Sequence, residues 1–333
     1  MAATIRDIKK QTGLSLATIS KYLNGGNVLP ENKIKIEAAI KDLHYEVNEL
    51  ARGLVTNKTK TVGVVVFSIE SLFNGTLLHH IGNSLRKAGY GMLICDSNDD
   101  IDREADNIKF LINKKVDGII VIPISNTSDF LKPAKNANIP VVLLDRKLKT
   151  DEFDCIKINN TSAARRAARE LLDAGHEKIA IISSNAEYTG IERHKGFIDE
   201  LKTAGIDMPD DYIFRGSHSI ELGYDGMKHM LSLSDRPTAV FMTNYEVTLG
   251  AVMAVNESPI RCPDDISLLG FDDLIMSHVV EPRMTMVVQP MEEMGQSAVD
   301  VLLKRIDSKE EYIPAETVMS TKILQGNSIK RLK

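Results

Sequence analysis

"TIRDIKKQTGLSLATISKYLNGG", Thr4 to Gly26, holds two short helical patterns with a sharp break between them. Thr4 carries a side-chain oxygen suited to capping a helix, and Asp7 follows in the first turn, near the positive end of the helix dipole. Ile5 and Ile8 fall on one face, and Gly13 supplies a residue at ease in a left-handed helix terminus. Ser15 is a second capping residue, the next helix runs through about Leu23, and Asn24-Gly25-Gly26 ends it. Ile19 and Leu23 can pack back on Ile5, Ile8 and Leu14, which leaves Leu16, Ala17, Thr18 and Lys21 on other faces. A third amphipathic helix is expected from about Pro30 to Leu43, with Ile36, Ile40 and Leu43 inward.

Helix, glycine turn, helix is the helix-turn-helix pattern, whose second helix enters the major groove of DNA by its start. In that setting Leu16 and Ala17 touch thymine methyls, Lys21 reaches guanine or phosphate, and Ser15, Thr18 and Ser20 bond phosphates or bases. The charge agrees. Residues 1–60 hold ten Lys and Arg against six acids, a net +4, while the rest of this 333-residue chain carries −9 of the overall −5. A basic head on an acidic body suggests that only the head meets a polyanion. Next, "YEVNELARGL" (Tyr45 to Leu54) gives Asn48 as the cap of a helix too short to persist alone, and Gly53 weakens it further. The polar "VTNKTKT" that follows reads as a linker. A marginal helix at that place suits a hinge that orders on DNA and wedges Leu54 into the minor groove beside the same residue of a second subunit.

From Thr61 the pattern changes. Short runs rich in Val and Ile, "VGVVVF", "GMLICD", "GIIVIPI", "IPVVLLD", "KIAIISS", "TAVFMT" and "ISLLGFD", alternate with helix-length segments such as 71–89, 101–114, 161–175 and 191–205. Continuous apolar strands with helices between them indicate parallel sheets covered on both faces. The body is too long for one such sheet, so two halves facing each other across a cleft are expected. Ligands of open α/β sheets bind beyond the carboxyl ends of the strands, and polar or aromatic groups stand there: Asp145-Arg146, Arg193, Asn244, Phe271-Asp272 and Gln289. Carboxylate, guanidinium and amide groups suit paired bonds to neighbouring hydroxyls, and a ring suits the apolar face of a sugar.

The chain has no GxGxxG after its first strand, no phosphate loop, no GxSxG and no HExxH. "DSNDDID" (Asp96–Asp102) imitates a calcium loop, but Ile101 occupies the glycine position and Asn107 the glutamate position. His79-His80 lacks a third ligand, so neither metal nor cofactor is expected. Cys95, Cys155 and Cys262 read as buried reduced thiols. No apolar run approaches the roughly 18 residues of a membrane span, and polar residues fill the place of a signal peptide, so a cytoplasmic protein is expected.

Thr4–Leu54 resembles the DNA-binding head of the lactose-repressor (LacI/GalR) family of transcription regulators, through "TIRDI", "GLSLATISKYLNG" and "HYEVNELARGL". The body resembles the same family, and behind it the type I periplasmic sugar-binding proteins, through "PVVLLDR", "ERHKGF", "TNYEVTLGAV", "DDISLLGFDD" and "VVQPMEEMGQSAVDVLL". The likeness implies a small all-α head at 1–47, a hinge helix and linker at 48–60, and an effector and dimerisation domain at 61–329. That domain would have two parallel-sheet subdomains, about 61–158 with 289–317 and 159–288 with 318–329. It makes Leu16, Ala17 and Lys21 base readers and Leu54 the intercalating leucine, with Thr4, Ser15, Thr18, Ser20, Asn24, Asn48, Ala51 and Arg52 completing the DNA-contact set. It makes Phe73, Asp145, Arg146, Arg193, Asn244, Phe271, Asp272 and Gln289 effector contacts, with Phe73 and Phe271 as stacking surfaces.

There are departures from the family's pattern. Leu29 stands where a capping serine is usual, Gly53 where serine or alanine is commoner, and Tyr245 where a second acid or small residue often follows the cleft asparagine. The first body helix starts "ESLFNG", and only Phe73 matches. The resemblance thus implies a repressor, dimeric on a palindromic operator, controlled by a sugar or sugar derivative. The donor set favours a neutral sugar or nucleoside-like ligand, and its two arginines leave a sugar acid or phosphate open. With no leucine heptads after the last body strand, a dimer is expected rather than a tail-joined tetramer. A cytoplasmic sugar-binding protein with the head as an interaction module, and a sugar-acting α/β enzyme, are the rivals.

Overall fold

The computed structural model describes residues 3–45, 58–273, 275–308 and 313–332. The chain divides after Thr61, with the short Lys115–Asp117 segment belonging to the first unit. In that unit α1 (Ile5–Thr12), α2 (Leu16–Leu23) and α3 (Pro30–Asp42) close on a small core of Ile8, Ile19, Ile36 and Ala39. Each boundary has a local cause. The Asp7 carboxylate accepts from the Thr4 amide at 2.9 Å and the Thr4 hydroxyl at 2.7 Å, which ties down the start of α1 and holds the Asp7 carboxyl below its usual range. Gly13 ends α1 at φ 68°, where any other residue would strain, and its amide returns to the Lys9 carbonyl. Ser15 Oγ accepts from the Thr18 amide at 3.1 Å and caps α2. Tyr22 donates to Glu37 at 2.8 Å and fastens α2 to α3.

The body contains β1 (Thr61–Val66), α4 (Leu72–Lys87), β2 (Gly91–Asp96), α5 (Ile101–Asn113), β3 (Gly118–Val121), α6 (Lys132–Asn136), β4 (Val141–Leu144) and β5 (Asp154–Ile158). The second half follows with α7 (Asn160–Asp173), β6 (Ile179–Ser184), α8 (Tyr188–Thr203), β7 (Ile213–Gly216), α9 (Ile220–Ser232), β8 (Ala239–Met242), α10 (Tyr245–Asn256), β9 (Ser267–Phe271) and β10 (Thr285–Val288). The chain finishes with α11 (Met291–Asp307), β11 (Glu316–Met319) and β12 (Lys322–Leu324). Two six-stranded sheets result, ordered β11-β5-β4-β3-β1-β2 and β12-β10-β9-β8-β6-β7. From β11 to β1 in the first sheet and from β10 to β7 in the second the pairings are parallel, and β12 runs antiparallel to β10. The orders match strand for strand, so the halves are one design used twice.

Helix α11 packs on α4 and on β3, β4 and β5 of the first sheet, and α7 packs on α8 of the second. The chain therefore changes lobe three times: between β5 and α7, between β10 and α11, and between β11 and β12. Asn159, Gln289 and Thr321 stand at these crossings. Strands β3, β4 and β8 are buried at every residue, as the unbroken apolar runs require.

Some glycines are set by close approach of helices. A Cβ on Gly250 of α10 would lie 1.9 Å from the Ile220 carbonyl oxygen at the start of α9, and one on Gly223 would lie 2.0 Å from that of Val247. Cys155 and Cys262 are pushed up to about 12 by burial, so both thiols stay protonated and inert. Among the described residues no helix is long and apolar enough to cross a membrane, and no group of three His, Cys, Asp or Glu is placed to hold a metal ion.

Candidate functional site

In the head, Ile19 of α2 points into the core while Ser15, Leu16, Ala17 and Lys21 are exposed and Thr18 and Ser20 half-buried. Leu16 and Ala17 thus form an apolar step at the start of α2, followed one turn on by the Lys21 cation. The Lys21 stem leans over Gly26, where a Cβ would lie 2.7 Å from its Cγ. Thr4 and Asn24 are exposed at the flanks; Thr4 is engaged by Asp7, and Asn24 Nδ2 donates to Ser20 Oγ at 3.3 Å. Asn48, Ala51, Arg52 and Leu54 lie outside the described residues.

In the body, the strand-end residues come together. Asp145 follows β4 and Asp272 follows the last residue of β9, the matching strand of the other lobe. Both sit in the left-handed region, at φ 66° and 70°. Both give their amide to the neighbouring strand, Asp145 to Ile156 O and Asp272 to Val287 O, each at 2.8 Å. The bend turns each carboxylate off its strand and into the space between lobes. Gln289 Nε2 donates to Asp272 Oδ1 at 2.6 Å, and Arg193 Nη1 lies 3.6 Å from Asp272 Oδ2. Arg193 also donates to Asn160 Oδ1 at 2.8 Å and to the Thr243 carbonyl at 2.7 Å. Arg146 Nε lies 3.8 Å from Asp145 Oδ2 and its Nη1 donates to Pro123 O at 3.3 Å.

The aromatic groups support the arginines. The Arg193 guanidinium covers the Phe271 ring at 3.6 Å, and Arg146 covers Phe67 at 4.3 Å. This revises the expected role of Phe271. It is fully buried and capped by Arg193, so it orients that side chain and offers no open stacking face. Phe73 lies in the first turn of α4, buried in the body's apolar cluster.

Asn244 caps α10, its Oδ1 accepting from the Val247 amide at 2.8 Å. Its Nδ2 lies 3.1 Å from His218 Nδ1. His218 itself bridges two carboxylates, Nδ1 to Glu187 at 2.7 Å and Nε2 to Glu246 at 2.9 Å. Burial disfavours its charge, but hydrogen bonds to Glu187 and Glu246 and their charge outweigh it and raise the imidazole to about 9. Burial likewise opposes ionisation of Glu187, yet His218 and the Ser184 hydroxyl hold it at about 2. An imidazolium has no lone pair, so the Asn244 amide N–H stays available. The bridge extends across the cleft, because the hydroxyl of Ser71, the residue before α4 of the first lobe, donates to Glu246 at the start of α10 at 3.0 Å.

Burial is the leading influence on the two aspartates. It raises Asp272 to about 6 against the pull of Arg193 and Gln289, and it raises Asp145 against Arg146 and Arg193. Four buried polar atoms of this cluster have no hydrogen-bond partner among the described residues: Asp145 Oδ1, Arg146 Nε, Asn160 Nδ2 and Gln289 Oε1. Such atoms are costly unless something bonds them.

Sequence reasoning did not single out Phe67, Asn160, Glu187, His218 or Glu246. Phe67 obeys the strand-end rule that found the others, since it closes "VGVVVF". His218 follows β7, a half-exposed edge strand whose sequence "IFRG" carries no strong signal.

Comparison with known proteins follows the same lines. Residues 59–325 match the family of periplasmic binding proteins and the sugar binding domain of the LacI family. The chain is 35% identical over 313 residues to the HTH-type transcriptional repressor PurR of Pectobacterium carotovorum subsp. carotovorum, covering 93% of this chain and 92% of that one. The PurR repressor of Mannheimia succiniciproducens is 33% identical over 317 residues, with 93% and 95% covered. A LacI family transcriptional regulator from Enterococcus faecium, solved with bound ribose, superposes with a TM-score of 0.73 at 27% identity, over 82% of this chain and all of that one.

Proposed function

The chain belongs to the LacI family of transcriptional regulators, and from that premise we propose that it is a cytoplasmic repressor whose operator affinity is set by a sugar or close polyol held between the body's lobes. Its relatives are named repressors over nearly their whole length, which makes it a DNA-binding repressor under small-molecule control rather than an enzyme. The observation that carries the sugar reading is the buried set of two acceptors, Asp145 Oδ1 and Gln289 Oε1, and two donors, Arg146 Nε and Asn160 Nδ2. Hydroxyl groups both donate and accept, so adjacent hydroxyls can satisfy all four. Asp145 and Arg146 come from the first lobe, while Asn160 and Gln289 stand beside crossings between the lobes. A ligand bonding all of them would bias how the lobes close.

On the DNA side, Leu16, Ala17 and Lys21 read bases, Ser15, Thr18 and Ser20 with Thr4 and Asn24 position the head on phosphates, and Asn48, Ala51, Arg52 and Leu54 form the hinge contact. One head presents a single short helix, so two copies on a palindromic site are needed, and the body supplies the homodimer. The test is selection of bound duplexes from a random pool by the full chain, repeated with each of a set of sugars. A two-fold-symmetric consensus whose retention changes with one sugar supports the reading. Equal, weak retention of every duplex at moderate salt defeats it.

A further inference from the structure

We propose that the cleft selects an uncharged polyhydroxylated ligand over its phosphorylated and carboxylated forms, and that Glu187 and Glu246, held by His218, set this selectivity. The inference rests on the sugar reading above and narrows it.

The two guanidinium groups that would receive an anion already face buried carboxylates. Arg193 donates to Asn160 and Thr243, faces Asp272 at 3.6 Å, and stands over the Phe271 ring at 3.6 Å. Arg146 donates to Pro123 and stands over the Phe67 ring at 4.3 Å, and its Nε, which makes no hydrogen bond, faces Asp145 Oδ2 at 3.8 Å. The third cation, His218, directs its two ring nitrogens at Glu187 and Glu246 and has no N–H left for an incoming anion.

Charge points the same way. Asp99, Asp145, Glu187, Glu246 and Asp272 act on one another and on Arg146, Arg193 and His218, so acids outnumber cations around the site. The balance stays negative even with Asp145 protonated. A phosphate or carboxylate is also an acceptor only. Placed against Asp145 Oδ1 or Gln289 Oε1, it would leave that acceptor unbonded and set a negative charge against it, in a site where water does not screen it. A hydroxyl meets both acceptors and donors without that penalty.

The experiment is calorimetric titration of the full-length protein with D-ribose, D-glucose and D-galactose, each beside its terminal phosphate, and with D-glucuronate and D-galacturonate. The neutral member of a bound pair is expected to bind at least about tenfold more tightly than its anionic forms. Glu187→Gln and Glu246→Gln are expected to narrow that ratio, with operator binding and melting behaviour confirming that each variant folds. An anionic form binding as tightly as its neutral parent overturns the charge inference alone, as does a ratio unmoved in both variants. No binding by any of these compounds overturns both this inference and the sugar reading.

Discussion

Asp145 and Asp272 show how one residue can carry both a bend and a function. Each takes a left-handed conformation that costs a non-glycine residue on the order of 1 kcal/mol, less for Asp than for bulkier side chains. Each turns a carboxylate into the cleft at the end of the equivalent strand. Because burial already raises the Asp145 pKa, its charge is a liability until a ligand bonds it. Asp145→Asn is therefore expected to leave the ligand-free melting temperature unchanged or higher, while sugar affinity falls about ten- to a hundredfold, the worth of a charged hydrogen bond. Calorimetry and thermal melting of one preparation give both readings, and a lower melting point with intact affinity contradicts the argument.

His218 gives a pH signature. Its folded pKa, about 9, exceeds the ordinary 6.5, so folding favours the protonated form. The stabilisation, about 3 kcal/mol, is complete below pH 6.5 and is lost as pH rises through 9. Glu187 and Glu246, which flank the imidazole and are held below the usual carboxylate range by it, stay ionised across that window. Melting temperature should thus fall between pH 7 and 10 in the native protein, with a shallower fall in His218→Gln; parallel slopes would remove the bridge from the account.

Among the elements, α3 lacks a cap. Leu29 occupies the N-cap position, is 62% exposed, and makes no side-chain hydrogen bond to the helix start. Leu29→Ser should stabilise the head by about 1 kcal/mol, seen as a later head transition in urea melts. At the other end of the chain, Arg305 of α11 binds Asp154 of β5 through two bonds of 2.8 and 2.9 Å, and Asp154 is fully buried. Arg305→Ala removes both bonds from that buried carboxylate, which keeps the Ala315 amide at 2.9 Å, and should cost about 3 kcal/mol of body stability by chemical unfolding.

Elements also mark what the sequence could disclose. The three head helices were legible because Thr4, Gly13, Ser15 and Pro30 each signal a boundary by backbone chemistry. Central strands were legible as apolar runs. Strands β5, β7, β11 and β12 were not. Asp154 and Lys157 interrupt "DCIKI" for the sake of Arg305 and Glu316, and the other three are sheet edges that bury little. The cleft followed the same divide: groups on central strand ends could be read, while Glu187 and His218 sit in connections and Asn160 and Glu246 in the first turns of helices, where polar residues are ordinary. No local pattern announces that a loop histidine will fall between two glutamates about thirty residues away on either side.

At the scale of the molecule, charge separates the tasks. A head of +4 beside a remainder of −9 confines attraction for phosphate to one end of the sequence. Lys21→Ala should weaken operator binding about tenfold or more, by removing one base or phosphate contact per subunit. Regulation demands more than two working sites, because the ligand must distinguish the DNA-bound protein from the free one. Whatever factor the sugar imposes on operator affinity, the operator must impose on sugar affinity, since both measure one coupling free energy; a tenfold factor is about 1.4 kcal/mol. Four titrations check this: operator with and without saturating sugar, and sugar with and without saturating operator. Equal ratios different from one establish the coupling and, by their direction, assign the ligand as inducer or corepressor. A ratio of one in both would leave a DNA-binding head and a sugar-binding body that share a chain without any regulation between them.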